Sequence, residues 1–162
     1  FVIFLSALVI LSFFRNENMI LALNQMRTGN TEKALKYINR ITHPHFMPRK
    51  QHAYILFLQA VMGAQQEGMA QSEHKLRKAI GLGLRKPEDN AMARMHLAGI
   101  CAQTGRKKEA VSLLSEAKKL DSSGMMKDQI RTMQQQLQMA PSKNQMRMAQ
   151  MMGGRRKSPK MR

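Results

Sequence analysis

Three stretches of this chain space their apolar residues as a helix buried along one side requires, at steps of three and four. They are Ala34-Ile38-Ile41, Leu76-Ala79-Ile80 and Ala110-Leu113-Leu114-Ala117. Ahead of each runs a segment of helix formers with no internal proline: "MILALNQMR", "AYILFLQAVMGAQ" and "AMARMHLAGICAQ". Gly29, Gly68 and Gly105 fall between the two halves, where a helix C-cap needs positive φ. Thr31 is the expected N-cap of the second helix in the first pair. The pattern predicts an all-α chain of antiparallel helix pairs.

The pairs repeat one another. Thr28-Gly29 and Thr104-Gly105 stand 76 positions apart, and half that interval predicts a middle copy. It lies in "QEGMAQSEHKLRKAI", where Ser72 takes the place of Ala34 and Ala110, and Leu76 that of Ile38 and Leu114. Ala22, Ala60 and Ala98 recur at the same step of 38. A small residue there lets two helices approach closely. These residues resemble the tetratricopeptide repeat family, whose units of about 34 residues are helix pairs. Leu97-Ala98, Gly105, Ala110, Leu114, Ala117 and Leu120-Asp121 match its pattern in the third copy. Leu21-Ala22, Gly29, Ala34 and Ile38 match in the first, and Ala60, Leu76 and Ala79 in the second. The chain departs from the family in its longer period, in Arg94 at the usual aromatic place, and in Gln59 and Gly63 for Leu and Tyr. The added length fits the joints at 42–50 and 81–90, which carry Pro and Gly.

The resemblance covers residues 15–124 and implies a short right-handed superhelix of antiparallel helix pairs. It further implies a concave groove lined by the first helix of each pair. The matching positions are Met19, Ile20, Leu23 and Met26, then Tyr54, Phe57, Leu58 and Val61, then Met92, Met95 and His96. From Tyr54 to His96 this set is the expected protein-binding site, suited to an amphipathic or hydrophobic segment because flexible thioethers adapt to varied shapes. No cation stands among these positions, which argues against acidic C-terminal tails as ligands. The competing account is that the same side chains pack on one another as core.

The two ends differ from the middle. Phe1–Phe14, "FVIFLSALVILSFF", is almost wholly apolar and is followed by Arg15-Asn16-Glu17-Asn18. As a helix it covers about 21 Å at ~1.5 Å per residue, short of the roughly 30 Å of a bilayer core. Because the chain starts with Phe, the expectation is an N-terminal hydrophobic helix that is a single-pass anchor continuing upstream, with the repeat domain in the cytoplasm. A signal-peptide core and a buried helix are the alternatives. At the other end Met126, Ile130, Met133 and Leu137 form one stripe, so 125–139 is expected to be the capping helix that a repeat stack needs. Residues 140–162 are Met-rich, with seven basic residues from Pro141 onward, no acid there and nothing branched or aromatic to build a core. The segment around Met146, Met148, Met151 and Met152 is a candidate to fold back into the groove.

Charge adds a second class of partner. The 162 residues hold 27 Lys and Arg against 10 Asp and Glu, a net charge of +17, with 16 Met and no Trp. Such an excess favours an anionic partner. Arg155, Arg156, Lys157 and Lys160 are the expected tail contacts to anionic lipid or RNA, without aromatics to stack on bases. No cofactor, metal or catalytic residue is expected. His43-Pro-His45 lacks further ligands at a zinc-like spacing, "GLGLRK" lacks the end of a phosphate loop, and Cys101 is alone. The reading is a membrane-tethered adaptor rather than an enzyme. Its rivals are a ribosome or nucleic-acid accessory acting through the tail, and a structural subunit of a membrane complex.

Overall fold

The computed structural model describes residues 2–6, 17–41 and 47–139, together with Met148 and Met151. From 17 to 139 the described residues form eight helices and no strand. They are α1 (Glu17–Arg27), α2 (Thr31–Asn39), α3 (Arg49–Met62), α4 (Ala64–Glu67), α5 (Met69–Leu82), α6 (Pro87–Gln103), α7 (Lys107–Leu120) and α8 (Lys127–Met139). This described part is all-helical and built from packed pairs: α1 with α2, α3 with α5, and α6 with α7. The second helix of each pair also packs on the element that follows, α2 on α3, α5 on α6 and α7 on α8.

The two Thr-Gly turns are one structure made twice. After α1, Asn30 N donates to Gln25 O at 2.9 Å and Gly29 N to Met26 O at 3.1 Å. After α6, Arg106 N donates to Cys101 O at 2.8 Å and Gly105 N to Ala102 O at 3.1 Å. Both are the six-to-one and five-to-two bonds of a Schellman cap, and both glycines sit at φ 77°. The threonines help by donating Oγ1 to Gln25 O and Ile100 O, each at 2.9 Å. Here the repeated letters and the repeated hydrogen bonds have one cause: a left-handed residue that only glycine adopts cheaply. The N-cap of α2 is Asn30 rather than Thr31, for the Asn30 side chain accepts from Lys33 N. Thr31 is already the first helical residue.

Burial follows the step of 38. Ala22, Ala60 and Ala98, then Ala34, Ser72 and Ala110, then Ile38, Leu76 and Leu114 are each at most 1 % exposed. Ile41, Ala79 and Ala117 continue the register and are also buried. Ser72 is the odd member, because its buried Oγ has no hydrogen-bond partner among the described residues. A buried polar atom left unpaired costs about 1–3 kcal/mol. Ser72→Ala, which restores the residue found in the other two copies, should therefore raise the unfolding free energy by about 1 kcal/mol in urea titrations. A loss of stability would mean that the hydroxyl has a partner in solution.

α8 continues the spacing of 38 in its apolar stripe, although the position 38 beyond Ala98 is the exposed Gln136. Ile130, Met133 and Leu137 lie 38 positions beyond Met92, Met95 and Gly99 of α6. Met126, Ile130 and Leu137 are buried and Met133 is packed against the core. α6 packs on both α3 and α8, so these first helices lie side by side. α1 is different: among the described helices its backbone comes close to α2 and not to α3.

Of the apolar N-terminal segment, residues 2–6 are helical with exposed side chains, and the rest lies outside the described residues. Among the described residues no helix is long and apolar enough to cross a membrane. Residues 140–162 lie outside the description except Met148 and Met151, both exposed.

Candidate functional site

Because α1 and α3 do not pack together, a cavity of about 640 Å³ opens between them. That volume falls within the ~300–1,000 Å³ of small ligand sites. Met19 and Leu23, one helical turn apart on α1, form one wall. Pro48 and Tyr54, at the start and in the body of α3, form the facing wall. Lys50, Arg85 and Lys86 add three cations, the last two from the short link between α5 and α6. Asp89, in the first turn of α6, supplies the only carboxylate among the lining residues. Gln51 completes the lining.

The sequence fixes these placements locally. Pro87 is the first residue of α6, where its missing N–H costs no helical bond and its φ suits a helix start. Glu88 and Asp89 follow in the first turn, where the helix dipole favours anions. Gly83, at φ 87°, ends α5 and turns the chain so that Arg85 and Lys86 face the cavity. Burial raises the Asp89 carboxyl above the ordinary carboxylate value, opposed by Lys86 and assisted by Glu88. Burial also raises the Tyr54 hydroxyl, with the Asp89 charge adding to it. Tyr54 therefore stays a neutral phenol, able to donate and accept.

The expected groove residues divide. Tyr54 lines the cavity. Phe57 and Leu58 are 3 % exposed and Met95 is 7 % exposed, so these three are core and offer a partner no surface. The reason is the crowding of their helices: α3 packs on α2, α5 and α6, while α6 packs on α3, α5, α7 and α8. Helices enclosed on several sides bury more than one stripe. Val61 and Met92 are partly buried against the core. His96 is half-buried and its burial lowers its pKa, which keeps it uncharged at neutral pH. Met19 and Leu23 line the cavity, whereas Ile20 and Met26 share a shallower depression of about 500 Å³ with Leu23, Asn24 and Arg27. The expectation of a groove without cations does not hold at this cavity, because the joints bring Lys50, Arg85 and Lys86 to it. Their signal in the sequence was a pair of basic residues beside each proline-bearing joint.

Several other candidates are outside the described residues or do not line the cavity. Arg155, Arg156, Lys157 and Lys160 are outside the described residues, as are His43 and His45. Among the described residues no three His, Cys, Asp or Glu are grouped to hold a metal. Cys101 is fully buried, and burial raises its thiol pKa. Arg94, at the family's aromatic place, bonds Glu116 Oε2 at 2.9 Å and the Asn90 side chain, tying α6 to α7.

A charged clamp joins the second and third pairs. Arg106 donates from Nη1 and Nη2 to the two carboxylate oxygens of Glu73, at 2.7 and 2.5 Å. Arg77 donates to Glu73 at 2.9 Å and to Glu109 at 2.5 Å. The fork of Arg106, then Arg77, holds the Glu73 carboxyl at about 2, below its ordinary 4.5. A carboxyl depressed in the folded state contributes stability that is complete above the unfolded pKa. That contribution disappears as pH falls from about 4.5 towards 2. Glu73→Gln should lower the melting midpoint at pH 7 and lose less on acidification than the parent. Melting curves that stay parallel down to pH 2.5 would show that the clamp does not form.

No model of a known protein family matches this chain, and no curated protein matches it. The functional reading rests on the register and on the cavity.

Proposed function

We propose that this chain is a membrane-tethered adaptor of tetratricopeptide type. Three helix pairs form a short right-handed superhelix, closed by α8, and an apolar or amphipathic segment of a partner protein docks between α1 and α3. The N-terminal apolar segment serves as the tether. The observation that carries this reading is the open junction: α3, α6 and α8 pack side by side, but α1 stands off and leaves a cavity with Met19, Leu23 and Tyr54 on its walls. The threefold recurrence of buried positions supports the repeat. The absence of grouped acid, base and nucleophile in the sequence supports binding over catalysis.

A random peptide library selected on the purified chain tests it. Selected peptides should share an apolar anchor and lose binding to Leu23→Glu, while circular dichroism of that variant stays unchanged. Leu23 is only half-buried, so a carboxylate there remains hydrated. Peptides that bind Leu23→Glu as well as the parent would move the site elsewhere.

A further inference from the structure

The cavity's charge pattern says more about the partner than its apolar walls do. Four of the chain's acids are spent internally: Glu67 on Lys75, Glu73 on Arg77 and Arg106, Glu109 on the same two arginines, and Glu116 on Arg94. Lys50, Arg85 and Lys86 are exposed and make no ion pair among the described residues. Three cations outside any ion pair thus converge on one cavity, Lys86 near enough to Asp89 to oppose the rise of its carboxyl pKa. Facing them, Asp89 is partly buried, and its carboxylate takes no hydrogen bond among the described residues. A partly dehydrated acceptor without a donor is unfavourable until a ligand supplies one.

We propose that the cavity selects an extended acidic segment of a protein partner. An apolar side chain sits between Met19, Leu23 and Tyr54, flanking carboxylates meet Lys50, Arg85 and Lys86, and a main-chain amide donates to Asp89. This rests on the reading of the cavity as a peptide site and adds the chemistry of the peptide. The chain's own tail is not the occupant, for Pro141–Arg162 carries seven basic residues and no acid to offer the three cations. A nucleic acid fits less well. Its phosphates would meet the Asp89 carboxylate, and among the described lining residues Tyr54 is the only aromatic to stack on. A peptide satisfies all three features at once, because its amides are donors, its side chains carry the acids, and a single aliphatic group fills the apolar part.

The test uses the full chain and fluorescent peptides in a Gly/Ser frame with Glu-Leu-Glu, Gln-Leu-Gln or Glu-Ser-Glu at the centre. Anisotropy titrations should show Glu-Leu-Glu binding about tenfold more tightly than either of the others, with the advantage shrinking as salt rises. The double variant Arg85→Gln, Lys86→Gln should erase the preference of Glu-Leu-Glu over Gln-Leu-Gln. Neutralising Arg155, Arg156, Lys157 and Lys160 to Gln should leave it intact. Equal binding of Glu-Leu-Glu and Gln-Leu-Gln overturns the acidic selection and leaves the peptide site standing. Equal binding of Glu-Leu-Glu and Glu-Ser-Glu, or no binding by any of them, takes the apolar docking site down as well. A preference that vanishes with the tail substitutions, or an oligo-dT probe that binds as tightly as Glu-Leu-Glu, also overturns the proposal, the latter in favour of a nucleic acid.

Discussion

Leu114→Ala should lower the unfolding free energy by about 2–5 kcal/mol, the range for removing a buried leucine and leaving a cavity. Leu114 is fully buried in α7 and occupies the position of Ile38 in α2 and Leu76 in α5, both buried as deeply. Its neighbours cannot easily collapse into the space, since α7 is held by α6 on one side and α8 on another. Val111→Ala on the same helix provides the comparison. Val111 is 43 % exposed, so its truncation removes little buried surface, and alanine is the better helix former. That change should stay within about 0.5 kcal/mol of the parent. Urea titrations followed by circular dichroism read both. If the two substitutions cost the same, the buried row from Ile38 to Leu114 is not what holds the pairs together.

The helix pairs could be read before any coordinates because their determinants are local or strictly periodic. Gly29 and Gly105 mark turns that need positive φ, and each turn appears with the same two backbone bonds. The row of Ala22, Ala60 and Ala98 is buried throughout, as are the rows that begin at Ala34 and Ile38. The site was harder to read. Phe57, Leu58 and Met95 look the same in sequence whether they line a groove or fill a core. The difference lies in how many helices surround α3 and α6, and no local pattern encodes that number. Tyr54 came from the same implied groove positions as Phe57 and Leu58, and differs from them in lining the cavity. Lys50, Arg85, Lys86 and Asp89 went unnoticed for another reason. They come from joints and helix starts, where charge is ordinary, and only the stand-off of α1 brings them together.

That stand-off makes Ala98 and Ala22 differ although the repeat equates them. Both are fully buried alanines at the same place in a first helix. Ala98 lies in α6, which has α3, α5, α7 and α8 around it, whereas among the described helices α1 has only α2 close by. A leucine at position 98 therefore has no direction in which its helix can yield. Ala98→Leu should cost about 1–3 kcal/mol or more, the penalty for overfilling a packed interior. Ala22→Leu should cost distinctly less, because α1 can shift away from α2 into the space that the cavity occupies. Urea titrations of the two variants measure the difference directly. The cavity supplies a second readout: Ala22→Leu should weaken binding of the Glu-Leu-Glu peptide by moving Met19 and Leu23, out of proportion to its small effect on stability. Equal losses of stability at the two positions would mean that α1 is enclosed as tightly as α6, and a junction so enclosed leaves no room for a docked segment.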